Sequence, residues 1–212
     1  MSAHPQPARP SAWVVRFAGL VARGGAVLDL ACGSGRHARF LAARGHPVTA
    51  VDRDPEALAG LAGVPGLTAV QADLEGAPWP LAGRRFDAVV VVSYLHRPLF
   101  PAIREALASG GVLLYETFMR GNEALGRPSR PEFLLEPGEL LRAFADLSPV
   151  AFEQGQVELP RPAVLQRLCA VKGAGVQSMR LDGGQAGAGR GHEAAPARSR
   201  VARAPRRGGR QR

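Results

Sequence analysis

The sequence predicts an α/β fold with a doubly wound, mostly parallel sheet. Short β-branched apolar runs alternate with helix-like stretches over the first 118 residues, and residues 89–92 form an unbroken valine run typical of a strand buried on both faces. Such alternation predicts parallel pairing through right-handed crossovers. A length of 212 residues with 46% hydrophobic content predicts one well-cored domain.

The stretch AVLDLACGSGRHARFL, residues 26–41, organises this prediction. Residues 27–30 form an apolar strand that contains Asp29, the chain then turns through Gly33 and Gly35, and residues 36–44 are helix-like. Glycines allow backbone N–H groups to approach a ligand closely, and the helix points its positive end toward that ligand. The pattern predicts a site for a nucleoside-bearing cofactor.

The remaining elements follow in chain order. Ser11 is placed to cap a first helix, and Asp54 caps another that starts at Pro55. Further strands are predicted at residues 46–52, 67–73, 89–92 and 112–118, and further helices at 97–109 and 137–144. Two late runs, residues 150–159 and 163–171, are separated by a Pro-Arg-Pro link, which favours an antiparallel hairpin at the sheet edge.

The net charge of +9 is concentrated at one end of the chain. From Lys172 onward there are ten basic and two acidic residues, a balance of +8, so the rest is almost neutral. We therefore divide the chain into a flexible lead-in (1–10), one domain (11–172) and a disordered basic Gly/Ala/Arg-rich tail (173–212). Nucleic acid would be contacted only through this tail.

Other composition features bound the environment. No apolar run is long enough for a membrane span and no signal-peptide pattern occurs, so we expect a cytoplasmic protein with no membrane partner, as a monomer or weak homodimer. Cys32 and Cys169 are too few and too distant in sequence to suggest a disulfide framework. No His/Cys/Asp cluster has metal-ligand spacing, so no metal is implied.

Two cofactor classes fit the glycine spacing. Gly33, Gly35 and Ala38, with Asp52 nineteen residues after Gly33, also satisfy the dinucleotide-binding fingerprint of NAD proteins. Asp29 favours a second class, cofactors with a methionine moiety. Its carboxylate would attract the α-ammonium group of that moiety and would repel the pyrophosphate of NAD. Spacing alone leaves NAD as an alternative.

The segments VLDLACGSGRHA, VTAVDRD, QADLE, FDAVVVVSYLHR and GGVLLYETF together resemble class I S-adenosylmethionine (SAM)-dependent methyltransferases. Within that group the chain is similar to the small tellurite-resistance-type methyltransferases of bacteria, over roughly residues 11–172. The resemblance implies a Rossmann-like, seven-stranded sheet with a late antiparallel strand, SAM as cofactor, and methyl transfer to a small-molecule acceptor.

The resemblance also implies roles for strand-end residues. Asp52 takes both ribose hydroxyls, a bidentate contact suited to a carboxylate. Asp73 takes the adenine amino group, Leu74 offers a backbone N–H and Ala72 an apolar contact. Each aspartate alone is an ordinary turn or cap residue, and their repetition at successive strand ends is what favours a site.

Three further residues complete the expected cofactor site. The stem of Arg53 packs against the adenine, and Ser93 lies beneath the methionine portion. Ala31 departs from the family pattern, in which a glycine often stands at that position. We expect modest crowding there and no loss of binding.

Candidate catalytic groups follow the fourth strand. His96 is either a general base or a capping residue, and Tyr94 is expected to line the methyl channel. Glu116 either orients a substrate or pairs with an arginine such as Arg120. A dedicated base is optional in methyl transfer, because alignment and water exclusion do most of the work.

The expected walls of the acceptor site are Trp13 and Phe17 on the first helix and the loop 120–130. Arg127 and Arg130 in this loop would favour an anionic small molecule. Two other functions stay open: methylation of RNA or protein with the basic tail as a tether, and SAM binding without turnover.

Overall fold

The computed structural model describes residues 9–173. Its seven-stranded sheet has the order β3–β2–β1–β4–β5–β7–β6. The first five strands in this order are parallel, and β7 runs antiparallel to both β5 and β6. The strands are β1 (Val27–Leu30), β2 (Val48–Asp52), β3 (Leu67–Gln71), β4 (Phe86–Val92), β5 (Leu107–Phe118), β6 (Ser148–Val157) and β7 (Ala163–Val171).

Helices cover both faces of the sheet, as predicted. They are α1 (Ala12–Phe17), α2 (Arg36–Ala42), α3 (Pro55–Ala59), α4 (Phe100–Ala106) and α5 (Glu139–Ala143), with 3₁₀ turns at Ala18–Leu20, Arg97–Leu99, Asn122–Ala124 and Pro131–Phe133. Alternate residues of β1 divide between two cores: Val27 packs with α1, α2 and α3, whereas Leu28 packs with α4 and α5. The doubly wound α/β prediction is confirmed.

Two predicted helix starts have the expected caps. Ser11 Oγ accepts a hydrogen bond from Trp13 N at 3.1 Å. Asp54 Oδ1 accepts from the backbone N–H groups of Glu56 at 2.9 Å and Ala57 at 3.4 Å. Both side chains satisfy N–H groups that lack a partner within the helix.

The predicted helix 97–109 is wrong at its C-terminal end. Residues Arg97–Leu99 form a 3₁₀ turn, α4 ends at Ala106, and β5 begins at Leu107, which pairs with Phe86 of β4. Gly110 and Gly111 therefore lie within β5, where the register with β4 shifts, instead of ending a helix. Sheet pairing overrides the local helical pattern here.

Other element ends shift by one to three residues. The helix predicted at 36–44 ends at Ala42, and the helix predicted at 137–144 starts at Glu139, after Gly138 with φ +69°. β2 begins at Val48 and β3 ends at Gln71, which places Asp73 in the following loop. β7 has the predicted bounds, and the late hairpin is confirmed.

Within residues 9–173, no helix is long and apolar enough to cross a membrane. Cys32 and Cys169 are both buried and free. Most of the predicted lead-in, and all of the predicted tail except Gly173, lie outside the described residues.

Candidate active site

The carboxyl ends of the parallel strands enclose a small cavity of about 180 Å³. Open α/β sheets bind ligands at this edge because the loops after the strands converge there. Seven of its lining residues are predicted site residues, and Glu75 is an addition. The lining comprises Ala31, Asp52, Arg53, Ala72, Asp73, Leu74, Glu75 and Tyr94.

A second cavity of about 830 Å³ lies on the other side of the end of β4. Ser93 lines it, whereas the next residue, Tyr94, lines the small cavity. The cavities therefore flank the point where β4 ends. Its lining comprises Arg9, Pro10, Ser11, Ala12, Arg36, Ser93, Glu116, Phe118, Val157, Leu159, Pro160, Arg161, Ala163, Leu165 and Arg167.

Left-handed backbone conformations mark the ends of the two central strands. Ala31, directly after β1, has φ +51°, and Ser93, directly after β4, has φ +59°. Non-glycine residues adopt this conformation at a cost of about 1–2 kcal/mol. Such strain is concentrated at functional sites when the surrounding fold holds it in place.

The glycine turn has one open and one crowded position. A Cβ atom at Gly33, whose φ is +53°, would meet nothing within 4 Å, so the turn leaves space for a ligand there. A Cβ at Gly35, with φ +74°, would collide with the side chain of Leu61. Gly35 is therefore required for packing, whereas Gly33 leaves the backbone open.

Asp52 connects the glycine turn to the end of β2. Its Oδ2 accepts a hydrogen bond from Gly33 N at 2.7 Å, and its Oδ1 accepts one from Asp54 N at 3.0 Å. Both bonds orient the carboxylate, which lines the small cavity. The position predicted to bind ribose is thus fixed by the backbone on two sides.

Asp29 lies inside the sheet and is only 1% exposed. Within residues 9–173 its Oδ2 has no hydrogen-bond partner. Burial raises the pKa of this carboxyl to about 7, although the Ala38 N–H and the charge of Arg36 act in the opposite direction. Asp29 lines neither cavity, so it would act on a ligand through its charge and not by contact.

The loop after β3 presents Asp73 at the mouth of the small cavity. Its Oδ1 accepts from Glu75 N at 3.0 Å, and this bond, with that of Gly76 N, holds the pKa of Asp73 below its ordinary value. Leu74 and Ala72 flank it in the lining. The carboxylate is therefore ionised and available to a ligand donor.

The catalytic candidates after β4 do not reach the larger cavity. Tyr94 faces the small cavity, and burial raises the pKa of its hydroxyl. Tyr115 Oη donates to the carbonyl of Tyr94 at 3.1 Å, which fixes this segment to β5. His96 lines neither cavity, and its carbonyl accepts from Leu99 N at the start of a 3₁₀ turn.

Glu116 lines the larger cavity, and its partner is not Arg120. Its Oε2 accepts from Arg167 Nε at 2.6 Å, because the antiparallel register sets the two residues side by side. Arg120 instead pairs with Glu136 at 3.1 Å. Only the β5–β7 register reveals the true partner, and the sequence offered no local sign of it.

The expected acceptor walls are wrong. Trp13 and Phe17 are each 2% exposed and pack in the core. The preceding residues, 9–12, form the wall instead, and Ser11 N donates to His37 Nε2 at 3.2 Å. Burial lowers the pKa of His37 to about 3, so its ring is neutral and can accept this bond.

The loop 120–130 contributes no lining residue to either cavity. Arg130 pairs with Glu132, and Arg127 is exposed elsewhere on the surface. The arginines of the larger cavity are different ones, contributed by the glycine turn, the N-terminal segment and the β6–β7 hairpin.

Residues 27–111 match the family model for a methyltransferase domain. Over these residues the chain is similar to methyltransferase domains. The match begins at β1 and ends within β5, so it spans the glycine turn and the small cavity. No curated protein sequence matches the chain.

Solved methyltransferase structures share the fold of this domain. TehB from Haemophilus influenzae superposes with a TM-score of 0.65 at 20% identity, over 75% of this chain and 61% of that chain. A SAM-dependent methyltransferase from Mesorhizobium loti superposes with a TM-score of 0.57 at 19% identity, over 74% of this chain and 98% of that chain. The glycopeptide N-methyltransferase MtfA, complexed with S-adenosyl-L-homocysteine, superposes with a TM-score of 0.55 at 21% identity, over 76% of this chain and 90% of that chain.

The family match and the fold support SAM as the cofactor of the methyltransferase domain, and the donor set fits it. Two carboxylates, Asp52 and Asp73, suit the hydroxyl and amino groups of a nucleoside. Asp29, whose pKa burial raises to about 7, suits a cation in its ionised form. The last two strands also argue against the NAD alternative, because β7 lies between β5 and β6, whereas dinucleotide-binding sheets have the order 3-2-1-4-5-6.

Proposed function

We propose that this protein transfers the methyl group of SAM to a small-molecule acceptor by in-line displacement. The observation that carries the proposal is the pair of cavities flanking the end of β4. The smaller has the carboxylates expected for a nucleoside, and the larger has the volume of a small-molecule site, typically about 300–1,000 Å³.

In this proposal the small cavity binds the adenosine portion. Asp52 accepts the ribose hydroxyls and Asp73 the adenine amino group, with the Leu74 N–H and the Ala72 methyl group beside the base. Arg36, which directly follows the glycine turn and lines the larger cavity, is placed for the methionine carboxylate. A lone arginine after the turn glycines is a sign that sequence reasoning overlooked.

When bound, SAM supplies an electrophilic methyl group on sulfur. The acceptor's lone pair forms the new bond to this carbon as the carbon–sulfur bond breaks, which leaves S-adenosylhomocysteine. Glu116, oriented by Arg167, lines the cavity where an acceptor N–H or O–H would need a hydrogen-bond acceptor. Orienting the nucleophile and excluding water supply most of the acceleration in such reactions.

Isothermal titration of the full-length protein with SAM, S-adenosylhomocysteine and NAD tests the cofactor assignment. We expect binding of the first two and no heat from NAD. Asp52→Asn should weaken SAM binding by about 10- to 100-fold, since charge-assisted hydrogen bonds contribute about 1.5–3 kcal/mol. Asp146→Asn is the matched control, because Asp146 pairs with Arg104 away from the site.

Release of S-adenosylhomocysteine across a panel of small thiols, oxyanions, amines and bulk RNA then tests the reaction. Turnover with a small molecule supports the proposal. Heat from NAD with none from SAM, or turnover with RNA alone, overturns it.

A further inference from the structure

The larger cavity is basic and has no free carboxylate in its lining. Four arginines and one acid line it, and the acid, Glu116, is already paired with Arg167 at 2.6 Å. Arg167 also reaches Glu153 at 3.3 Å, and Glu153 pairs with Arg16 at 2.7 Å, so these two arginines and two acids neutralise one another. Because the proposed function assigns Arg36 to the methionine carboxylate of SAM, Arg9 and Arg161 are left to set the potential for an acceptor, and they attract an anion.

Of the arginines in this lining without an ion-pair partner in residues 9–173, Arg161 is the one farthest along the chain from the glycine turn. It lies in the link between β6 and β7, between Pro160 and Pro162, whose rings restrict the backbone on both sides. Its guanidinium lies 5.8 Å from the ring centre of Phe118, and it has no ion-pair partner within residues 9–173. It is thus held at the cavity with its charge uncompensated.

Apolar side chains surround Arg161 in the same lining. Leu159 is 82% exposed, which is unusual for a leucine fixed between two strands. Phe118, Val157 and Leu165 line the cavity beside it. An apolar ligand body that covers these side chains would remove their surface from water, which favours binding.

We propose that the methyl acceptor is an organic anion with an apolar body, its acidic group bound by Arg161 and its body lying against Leu159, Phe118 and Leu165. This inference rests on the proposed function. An inorganic oxyanion would use neither the apolar wall nor a cavity of about 830 Å³. The nucleophilic atom would point inward, toward Ser93 and Glu116.

Matched ligand pairs test the recognition without requiring turnover. The full-length protein, with and without saturating S-adenosylhomocysteine, is titrated with octanoate and octanamide and with 3-phenylpropionate and its amide. We expect each carboxylate to bind about tenfold more tightly than its amide, since a charge-assisted hydrogen bond to guanidinium is lost in the amide. Acetate should bind too weakly to measure, because it lacks the apolar body.

Arg161→Gln should reduce carboxylate affinity to that of the amide and leave amide binding unchanged. Arg161→Lys should give an intermediate value, because the charge remains without the planar fork. Leu159→Ser should weaken octanoate and octanamide equally. Arg127→Gln is the matched control, an exposed arginine outside both cavities, and should change nothing.

Equal binding of acids and amides, or an unchanged carboxylate affinity in Arg161→Gln with an unchanged melting midpoint, overturns the inference. Absence of S-adenosylhomocysteine binding overturns the proposed function instead. The titrations without that ligand still decide whether Arg161 selects anions, so the two failures are distinguishable.

Discussion

At the residue scale, Ala31 holds a conformation that glycine would adopt without strain. Its φ of +51° costs about 1–2 kcal/mol for a residue with a Cβ. Ala31→Gly should therefore stabilise the protein by about 0.5–1 kcal/mol, after the greater flexibility of glycine in the unfolded chain is subtracted. Urea denaturation measures this change.

Ala102→Gly, in the interior of α4, is the matched control for the substitution at Ala31. There the same chemical change should destabilise by about 0.5–1 kcal/mol, because α-helical φ suits alanine. Destabilisation in both variants would show that the turn does not strain Ala31.

Asp29 makes stability depend on pH in an unusual direction for a carboxyl. The unfolded chain loses this proton near the ordinary pKa of 3.8, whereas the buried group keeps it up to about pH 7. The folded state therefore binds more protons between these values, and stability falls as the pH rises from about 4 to 7. Above about pH 7 the free energy of unfolding falls no further. The total decrease is up to about 4 kcal/mol, because the folded and unfolded pKa values of Asp29 differ by about three units.

Asp29→Asn removes this titration. Relative to the parent protein, the variant should gain stability steadily between pH 4 and 7 and then stay level, as measured by urea denaturation at pH 5, 6 and 8. A constant difference across this range would mean that Asp29 titrates as it does in the unfolded chain. SAM affinity measured on the same variant reports whether the buried charge attracts the cofactor.

The sequence predicted the position of those candidate site residues that short segments fix. Asp52 and Asp73 sit at or just beyond strand ends, so strand prediction alone brings them to one edge. Arg167 could not be found this way, because its place beside Glu116 depends on a pairing between residues 51 apart. The prediction that Trp13 borders the acceptor site was wrong for a different reason. The sequence shows that its helix has an apolar face, but such a face can either pack on a sheet or border a cavity.

At the scale of elements, α5 is attached to the turn before α4 by a two-pronged ion pair. Arg97 Nε and Nη2 donate to the Glu139 carboxylate at 2.6 and 2.9 Å. Burial disfavours the charge of Glu139, but the Arg97 hydrogen bonds outweigh it and keep the pKa of Glu139 below its usual value. Arg97 also donates to the carbonyls of Glu132 and Leu134.

Glu139→Ala should destabilise the protein by about 1.5–3 kcal/mol, because a partly buried guanidinium loses its counter-charge. The loss is measured by urea denaturation at pH 7. Glu132→Ala is the control, since its side chain is more exposed and the contact to Arg97 uses its backbone. Equal effects of the two substitutions would contradict this account.

Elements were predicted well where local chemistry and tertiary pairing agree. The caps at Ser11 and Asp54 and the bounds of β1 and β7 follow from side chains within a few residues. The end of α4 does not, because residues 107–109 are compatible with a helix until Leu107 pairs with Phe86. Strand pairing depends on residues far apart in the sequence, so the local pattern of apolar residues does not predict it.

At the scale of the whole molecule, Lys172 closes the fold. Its Nζ donates to the carbonyls of Arg104 at 2.7 Å and Leu107 at 2.8 Å, at the end of α4. A protein ending at Gly173 should therefore match the full-length chain in melting midpoint and SAM affinity. A protein ending at Val171 should have a free energy of unfolding about 2 kcal/mol lower, because it lacks the two charge-assisted hydrogen bonds and the backbone pairing of Lys172.

The same pair of proteins tests the basic segment after Gly173. Residues 174–212 hold nine basic and two acidic residues, a balance of +7, so the full-length chain should retain bulk RNA at low salt and the protein ending at Gly173 should not, and added salt should release the RNA. RNA methylation that disappears in the protein ending at Gly173 would favour the tethered alternative. Equal RNA retention by both proteins would place the contact on the domain.

The two cavities are lined by different parts of the chain, and β7, which runs antiparallel, belongs to the part that lines the larger one. Every lining residue of the small cavity falls within residues 31–94, whereas most of the larger cavity comes from residues 116–167. The family match stops at residue 111, between these stretches. If the larger cavity binds the acceptor as proposed, replacing the β6–β7 link with that of another protein should change the acceptor preference and leave SAM affinity unchanged.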